Sequence, residues 1–165
     1  MDYKHIAAGI LPFFEDGKTV LLGREFRKRY NTHAWMEFGG KYEKNETLAE
    51  TACREANEET AEVLGITLDQ VLEAERNGKY VDYHNPKTDV FYRMYLVNIN
   101  HKPAPSTFEA SAVGKSHVEM VEWRYFNTAD VFGSIEGELP CTDDKIYETS
   151  RTRLKMALEN KLVIL

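Results

Sequence analysis

The segment LAETACREANEETAEVL, residues 48–64, constrains the fold of this chain more than any other. On a helical wheel Leu48, Ala49, Ala52, Cys53, Ala56, Thr60, Val63 and Leu64 fall within an arc of about 160°. The small side chains in that arc let a helix axis lie close against a sheet. Glu55, Glu58, Glu59 and Glu62 occupy an adjoining arc of about 100°, beside the apolar face rather than opposite it. The spacing predicts a helix from about Glu46 to Leu64.

Strand signals surround this helix. HIAAGILPFF and TVLLGREF read as strands joined by the turn EDGK. The basic loop RKRYNTH leads into AWMEF, a short strand ending at Gly39-Gly40. Beyond Gly65 comes a polar connector, followed by expected strands at 74–83 and 89–100 with the turn HNPKT between them. HKPAPSTFEASAVGKSH reads as a loop and VEMVEWRYF as a strand. NTADVF is a short helix capped by Asn127 or Thr128. Ile146, Tyr147, Leu154, Ala157, Leu158 and Leu162 recur at helical spacing, with Ser150 filling the gap, and give an amphipathic final helix. Strands interrupted by two substantial helices predict an α/β (α+β) domain, a mixed sheet layered between helices, spanning residues 1–165 as one unit.

Composition narrows the function. Of 165 residues, 42% are hydrophobic and 12% aromatic, as a folded globule requires. No apolar run approaches a membrane span, and the N-terminus lacks the pattern of a secretory signal. Cys53 and Cys141 have no metal-knuckle spacing and imply a reducing, cytoplasmic location. Twenty-seven acidic against 21 basic residues, net charge −6, argue against generic nucleic-acid binding.

A solubilising face would mix lysines among its glutamates and sit opposite the core. Here no lysine occurs between Lys44 and Lys79. Carboxylates at this spacing repel one another unless a cation intervenes, and all-oxygen ligation favours Mg²⁺, Mn²⁺ or Ca²⁺ over zinc. The residues alone therefore point to a divalent-metal site.

The same stretch resembles the Nudix box, G-x5-E-x7-R-E-U-x-E-E-x-G-U with U aliphatic. Gly40, Glu46, Arg54, Glu55, Glu58 and Glu59 match at fixed spacing, over 23 of the 165 residues. Trp35 ahead of the glycines and the flanking strand order are also similar. Two departures stand out. Phe38 replaces the proline common before the glycine pair, and Ala61-Glu62 stands where the box closes with Gly-U. Because Gly65-Ile66 follows about one helical turn later, the expectation is a helix one turn longer, stopped at Gly65. Glu62 would then be an extra carboxylate.

The resemblance implies an α/β/α sandwich and a hydrolase of diphosphate linkages in nucleoside diphosphate derivatives, dependent on Mg²⁺ or Mn²⁺. Glu55, Glu58 and Glu59 would hold metal. Glu58, Glu59 or a loop glutamate would be general base, with Glu119 the first choice outside the helix and Glu122 the second. Arg54 would orient the carboxylates. Gly39, Gly40, Lys41 and Arg24 would contact the phosphates of a small nucleotide-type substrate, and Arg27, Lys28 and Arg29 could steer them. Tyr30, Tyr80, Tyr83 and Phe91 could stack on a base, although strand aromatics are more often core. Many relatives form homodimers. The rival reading is a catalytically silent Nudix-like nucleotide-sensing module. An isomerase of the same fold would need a strand cysteine, and neither Cys53 nor Cys141 is on one.

Overall fold

The structure, a computed structural model, describes residues 2–165. Seven strands form one mixed sheet: β1 (His5–Phe14), β2 (Thr19–Arg27), β3 (Thr32–Met36), β4 (Phe38–Lys41), β5 (Tyr80–Asn85), β6 (Val90–Asn98) and β7 (Glu122–Asn127). The sheet lies between α1 (Leu48–Glu59), α2 (Leu68–Arg76) and α3 (Pro105–Ala112) on one face and α4 (Thr128–Gly133) and α5 (Glu148–Glu159) on the other. This is the α/β/α sandwich that the resemblance implies.

β1 is the central strand. It pairs in parallel with β6 from His5↔Val90 to Phe13↔Asn98. On its other edge it meets β2 only at Phe13↔Val20 and Phe14↔Thr19, and then the two strands separate. The β3–β4 segment fills the gap. β3 pairs antiparallel with β2, and β4 pairs antiparallel with β1 through Ala7↔Lys41 to Ile10↔Phe38. Chain direction breaks at Glu37, between the two strands, so AWMEF is not one strand. β1 is apolar on both faces, as a strand covered on both sides must be. Ala8, Ile10 and Phe14 join the core under α1, while Leu11 and Phe13 join the core under α5.

The structure corrects three further expectations. The acidic helix runs from the capping box of Thr47 and Glu50 to Glu59, not to Leu64. Its end is a Schellman motif: Ala61 N donates to Glu58 O, and Glu62 N donates to Asn57 O. Ala61 occupies the left-handed position, φ 52°, which the closing glycine of the box would take. The helix is not one turn longer; alanine replaces the glycine in place, and Gly65, φ 57°, lies in the loop before α2. Next, residues 68–76 form α2, so the strand expected from 74 begins only at Tyr80. Thr67 and Gln70 make a second capping box, and Gly78, φ 67°, ends the helix. Last, α3 replaces the expected loop, with Pro105 in its first turn where no backbone donor is needed.

Candidate active site

The end of α1 at Glu59 places Glu58 and Glu59 in the last helical turn, where no basic residue stands. Carboxylates there face the negative end of the helix dipole. The terminus itself is firmly built. Asn57 grips the Ile66 backbone through both amide atoms, at 2.8 Å each, and the buried Trp123 Nε1 donates to Glu59 O at 2.9 Å. Ser111 Oγ donates to Ala61 O at 2.7 Å. Of the carbonyls a helix end leaves free, Asn57 O and Glu58 O are thus satisfied by the Schellman bonds and Glu59 O by β7, while α3 fastens the residue just beyond.

Glu55, Glu58 and Glu59 line a cleft of about 800 Å³, together with Gly39, Gly40, Lys41, Glu25 and Glu119. Arg54 organises the carboxylates. Its Nε donates to Glu46 at 2.9 Å, its Nη1 to Glu55 at 2.7 Å and to Glu58 at 3.5 Å, and its Nη2 to Lys41 O at 3.0 Å. One guanidinium therefore ties the box helix to the strand that precedes it. Gly40 is closely approached: a Cβ there would lie 2.4 Å from the Glu55 carboxyl that Arg54 holds in place.

The electrostatics are those of crowded, buried acids. Glu59 is only 8% exposed, and among the described residues its Oε2 has no hydrogen-bond partner. Burial first, then the carboxylates of Glu25, Glu119, Glu55 and Glu58, push its pKa up to about 8. Burial raises Glu55 against the pull of Arg54. Burial and the adjacent Glu119 carboxyl raise Glu25, although Arg27 donates to it at 2.8 Å. Among the described residues no three acidic, histidine or cysteine side chains are gathered into a ready-made metal cage. The donor set nonetheless fits a hard cation: all oxygen, mutually repelling, and with a buried acceptor unused.

A family model of the NUDIX domain matches residues 3–148. The chain belongs to the NUDIX domain family. It is a Nudix-type hydrolase acting on pyrophosphate bonds. No curated protein matches the sequence. Among solved structures, a NUDIX hydrolase from Nitrosomonas europaea is similar at 19% identity, TM-score 0.56, over 98% of this chain and 73% of that one. A C. elegans Ap4A hydrolase, in a binary complex, matches at 19% identity and TM-score 0.56, over 94% of this chain and 97% of that one. The bifunctional NMN adenylyltransferase/ADP ribose pyrophosphatase of Francisella tularensis, complexed with AMP and a Mn ion, matches at 16% identity and TM-score 0.61; 94% of this chain covers 41% of that one. At these identities the likeness concerns the fold.

Within this Nudix domain the residues expected from the sequence separate. Glu55, Glu58, Glu59, Gly39, Gly40, Lys41 and Glu119 share the cleft, and Arg54 stands behind the carboxylates. Arg24 does not line the cleft. Strand alternation sends Glu25 toward α1 and Arg24 to the other face, where its Nε donates to Asp144 at 2.7 Å. Glu122 lies with it, 3.9 Å from Arg24 and bonded to Arg124. Glu62 has left the helix and lines no part of the cleft. Of the basic loop, Arg27 and Arg29 reach the cleft and Lys28 does not; of the aromatics, Tyr30 and Tyr83 do, whereas Tyr80 and Phe91 do not.

Sequence reasoning missed several cleft residues, Lys87 and four others among them. Glu25 was detectable as an acid on the Leu21, Gly23, Glu25 side of β2, which the core claims, with Arg27 next on the same face. Glu37, Tyr92 and Arg153 form a buried group. Arg153 Nε donates to Glu37 Oε1 at 2.7 Å, and its guanidinium lies 3.8 Å from the Tyr92 ring centre. Arg153 falls on the Ser150, Leu154, Ala157 stripe of α5, where a charge should have drawn notice. Tyr92 reaches across β1 and β4, and a Cβ on either Gly9 or Gly39 would collide with its hydroxyl. Gly39 therefore makes room for Tyr92, while Gly40 makes room for Glu55.

Proposed function

We propose that this Nudix hydrolase cleaves a diphosphate linkage in a nucleoside diphosphate derivative, with Mg²⁺ or Mn²⁺ held by Glu55, Glu58 and Glu59. The observation that carries this is the buried, unpartnered Oε2 of Glu59 among four other carboxylates at the dipole-disfavoured end of α1. Such an arrangement is costly without a cation and coherent with one. A divalent ion supplies charge neutralisation at the phosphoryl group and an acidified water. The AMP and Mn ion of the Francisella tularensis structure and the Ap4A hydrolase fold of the nematode protein support a nucleotide substrate.

The chain's own groups then take distinct roles. Arg54 holds Glu55 and Glu58 in place. Lys41 contacts a phosphate oxygen from the rim. Glu119, beside Glu25 and Glu59, accepts the proton of the attacking water. Among the described residues no helix is long and apolar enough to cross a membrane. Two unpaired cysteines suit a reducing, cytoplasmic setting.

The test is incubation with Mg²⁺ or Mn²⁺ and a panel of nucleoside diphosphate derivatives, with products identified by mass. Cleavage at a diphosphate linkage, abolished by chelation, is expected. Binding of a compound without turnover of any would replace this reading by a nucleotide sensor.

A further inference from the structure

The buried ion pair of Arg153 and Glu37 has no place in the chemistry above. Arg153 is 5% exposed and Glu37 4%. Arg153 lies beyond residues 3–148, the part of the chain that matches the family. Burying a charge pair costs several kcal/mol of desolvation, and apolar residues of similar volume usually serve stability as well. Stability alone thus gives little reason for the pair. Its geometry gives a better one.

Three partners fix the guanidinium: Glu37, the Tyr92 ring, and Ser150 Oγ, which accepts from Nη2 at 3.3 Å. Nη1 makes no hydrogen bond among the described residues, and it is not one of the nitrogens sealed from solvent. Arg153 lines the same cleft as the box glutamates. A locked guanidinium with a free N–H edge suits a phosphate oxygen. Glu37 offsets the charge of Arg153 and Glu148 also lines the cleft, but Arg29 and Lys87 line it as well, without an ion pair among the described residues, so cations outnumber acids among these five side chains. Gly40 faces Glu55 and Gly39 faces Tyr92, on whose ring Arg153 lies, so the box carboxylates and Arg153 stand on the two sides of β4. One cleft thus holds the box carboxylates on one side of β4 and a guanidinium with a free N–H edge on the other.

We propose that Arg153, aided by Arg29 and Lys87, binds a phosphate-bearing arm of the substrate beyond the scissile diphosphate. The preferred substrate class is a nucleotide joined through its phosphates to a second charged, phosphorylated group, rather than to a neutral sugar. This rests on the hydrolase reading above.

The test compares the KM of the metal-loaded enzyme for a dinucleoside tetraphosphate with that for ADP-ribose, whose far arm is an uncharged sugar. Wild type should favour the tetraphosphate by about tenfold or more. Arg153→Met combined with Glu37→Gln leaves no orphaned buried charge and should collapse that ratio by about tenfold. The surface pair Arg29→Ala and Lys87→Ala, which does not burden folding, should reduce it by about threefold or more, and added salt should reduce it in wild type. Equal KM values in wild type, or a ratio that survives both variants, overturns the proposal. If wild type cleaves neither compound, the hydrolase reading fails by itself. Calorimetric binding of the two compounds then reads the same ratio, and loss of tetraphosphate preference in the Arg153 variant still supports the assignment, whereas equal binding overturns it.

Discussion

Glu59 joins backbone and chemistry in one residue. Its carbonyl is fixed by Trp123 and its carboxyl is buried beside four others. Its pKa is about 8 in the fold against an ordinary 4.5, so between those values the metal-free native state binds more protons than the unfolded chain. The stability Glu59 contributes is fully present below about pH 4.5 and is lost as pH rises through about 8. In chelator, the thermal midpoint of wild type should fall across that window, and Glu59→Gln should flatten the fall; a wild-type profile already flat would contradict the burial argument. Activity should follow a different rule, because the metal form needs the carboxylate. Glu58→Gln and Glu59→Gln should each lower kcat by about 100-fold or more in Mg²⁺. A variant within about twofold of wild type would remove that residue from the metal set. Most of this was legible in the sequence, since the glutamates occur at fixed local spacing. Glu25 and Glu119 were harder, because β2 and the 117–120 loop meet only after the sheet forms. Arg24 misled for the opposite reason: one step along a strand changes the face.

At the scale of elements, helix ends show where the sequence was readable and where it was not. α1, α2 and α5 all close with the same paired hydrogen bonds, and the left-handed position is held by Ala61, Gly78 and Lys161 respectively. The Asn-Gly at 77–78 and the Thr67–Gln70 box signalled α2, but a polar surface pattern hid it. Ala61 hid the end of α1, because an alanine gives no stop signal. What holds Ala61 there is tertiary: it is fully buried and its carbonyl accepts from Ser111. Left-handed alanine costs about 1–2 kcal/mol. Glycine would relieve that but would lose about 0.8 kcal/mol of methyl burial and add unfolded-state entropy of about 0.5–1 kcal/mol. Ala61→Gly should therefore leave stability within about 1 kcal/mol of wild type in denaturant titration. Gly78→Ala, with no packing to gain, should cost about 1–2 kcal/mol. A large gain from Ala61→Gly would show that the methyl group packs against nothing of consequence.

Across the whole molecule, the cleft exists because β1 and β2 part after two paired residues and β3–β4 bends at Glu37 to fill the gap. That opening lets α1 from one layer and α5 from the other line a single cavity. No local pattern encodes such a meeting; only the assembled sheet brings Glu55 and Arg153 to the two sides of β4. The same arrangement makes the carboxylate cluster a burden that the fold as a whole carries without metal. A cation that binds the native state alone adds RT ln(1 + [L]/Kd), about 2.7 kcal/mol at a hundredfold excess over Kd. For a domain of this size that raises the thermal midpoint by about 5–10 °C. Mn²⁺ or Mg²⁺ should produce such a shift in wild type, and more of it at pH 8 than at pH 6, because protons compete for Glu59 at the lower value. Chelation should reverse it, and the combined Glu55→Gln and Glu59→Gln variant should melt independently of metal. If both proteins respond alike to the ion, the cation binds elsewhere and the two-walled cleft loses its acidic half as a metal site.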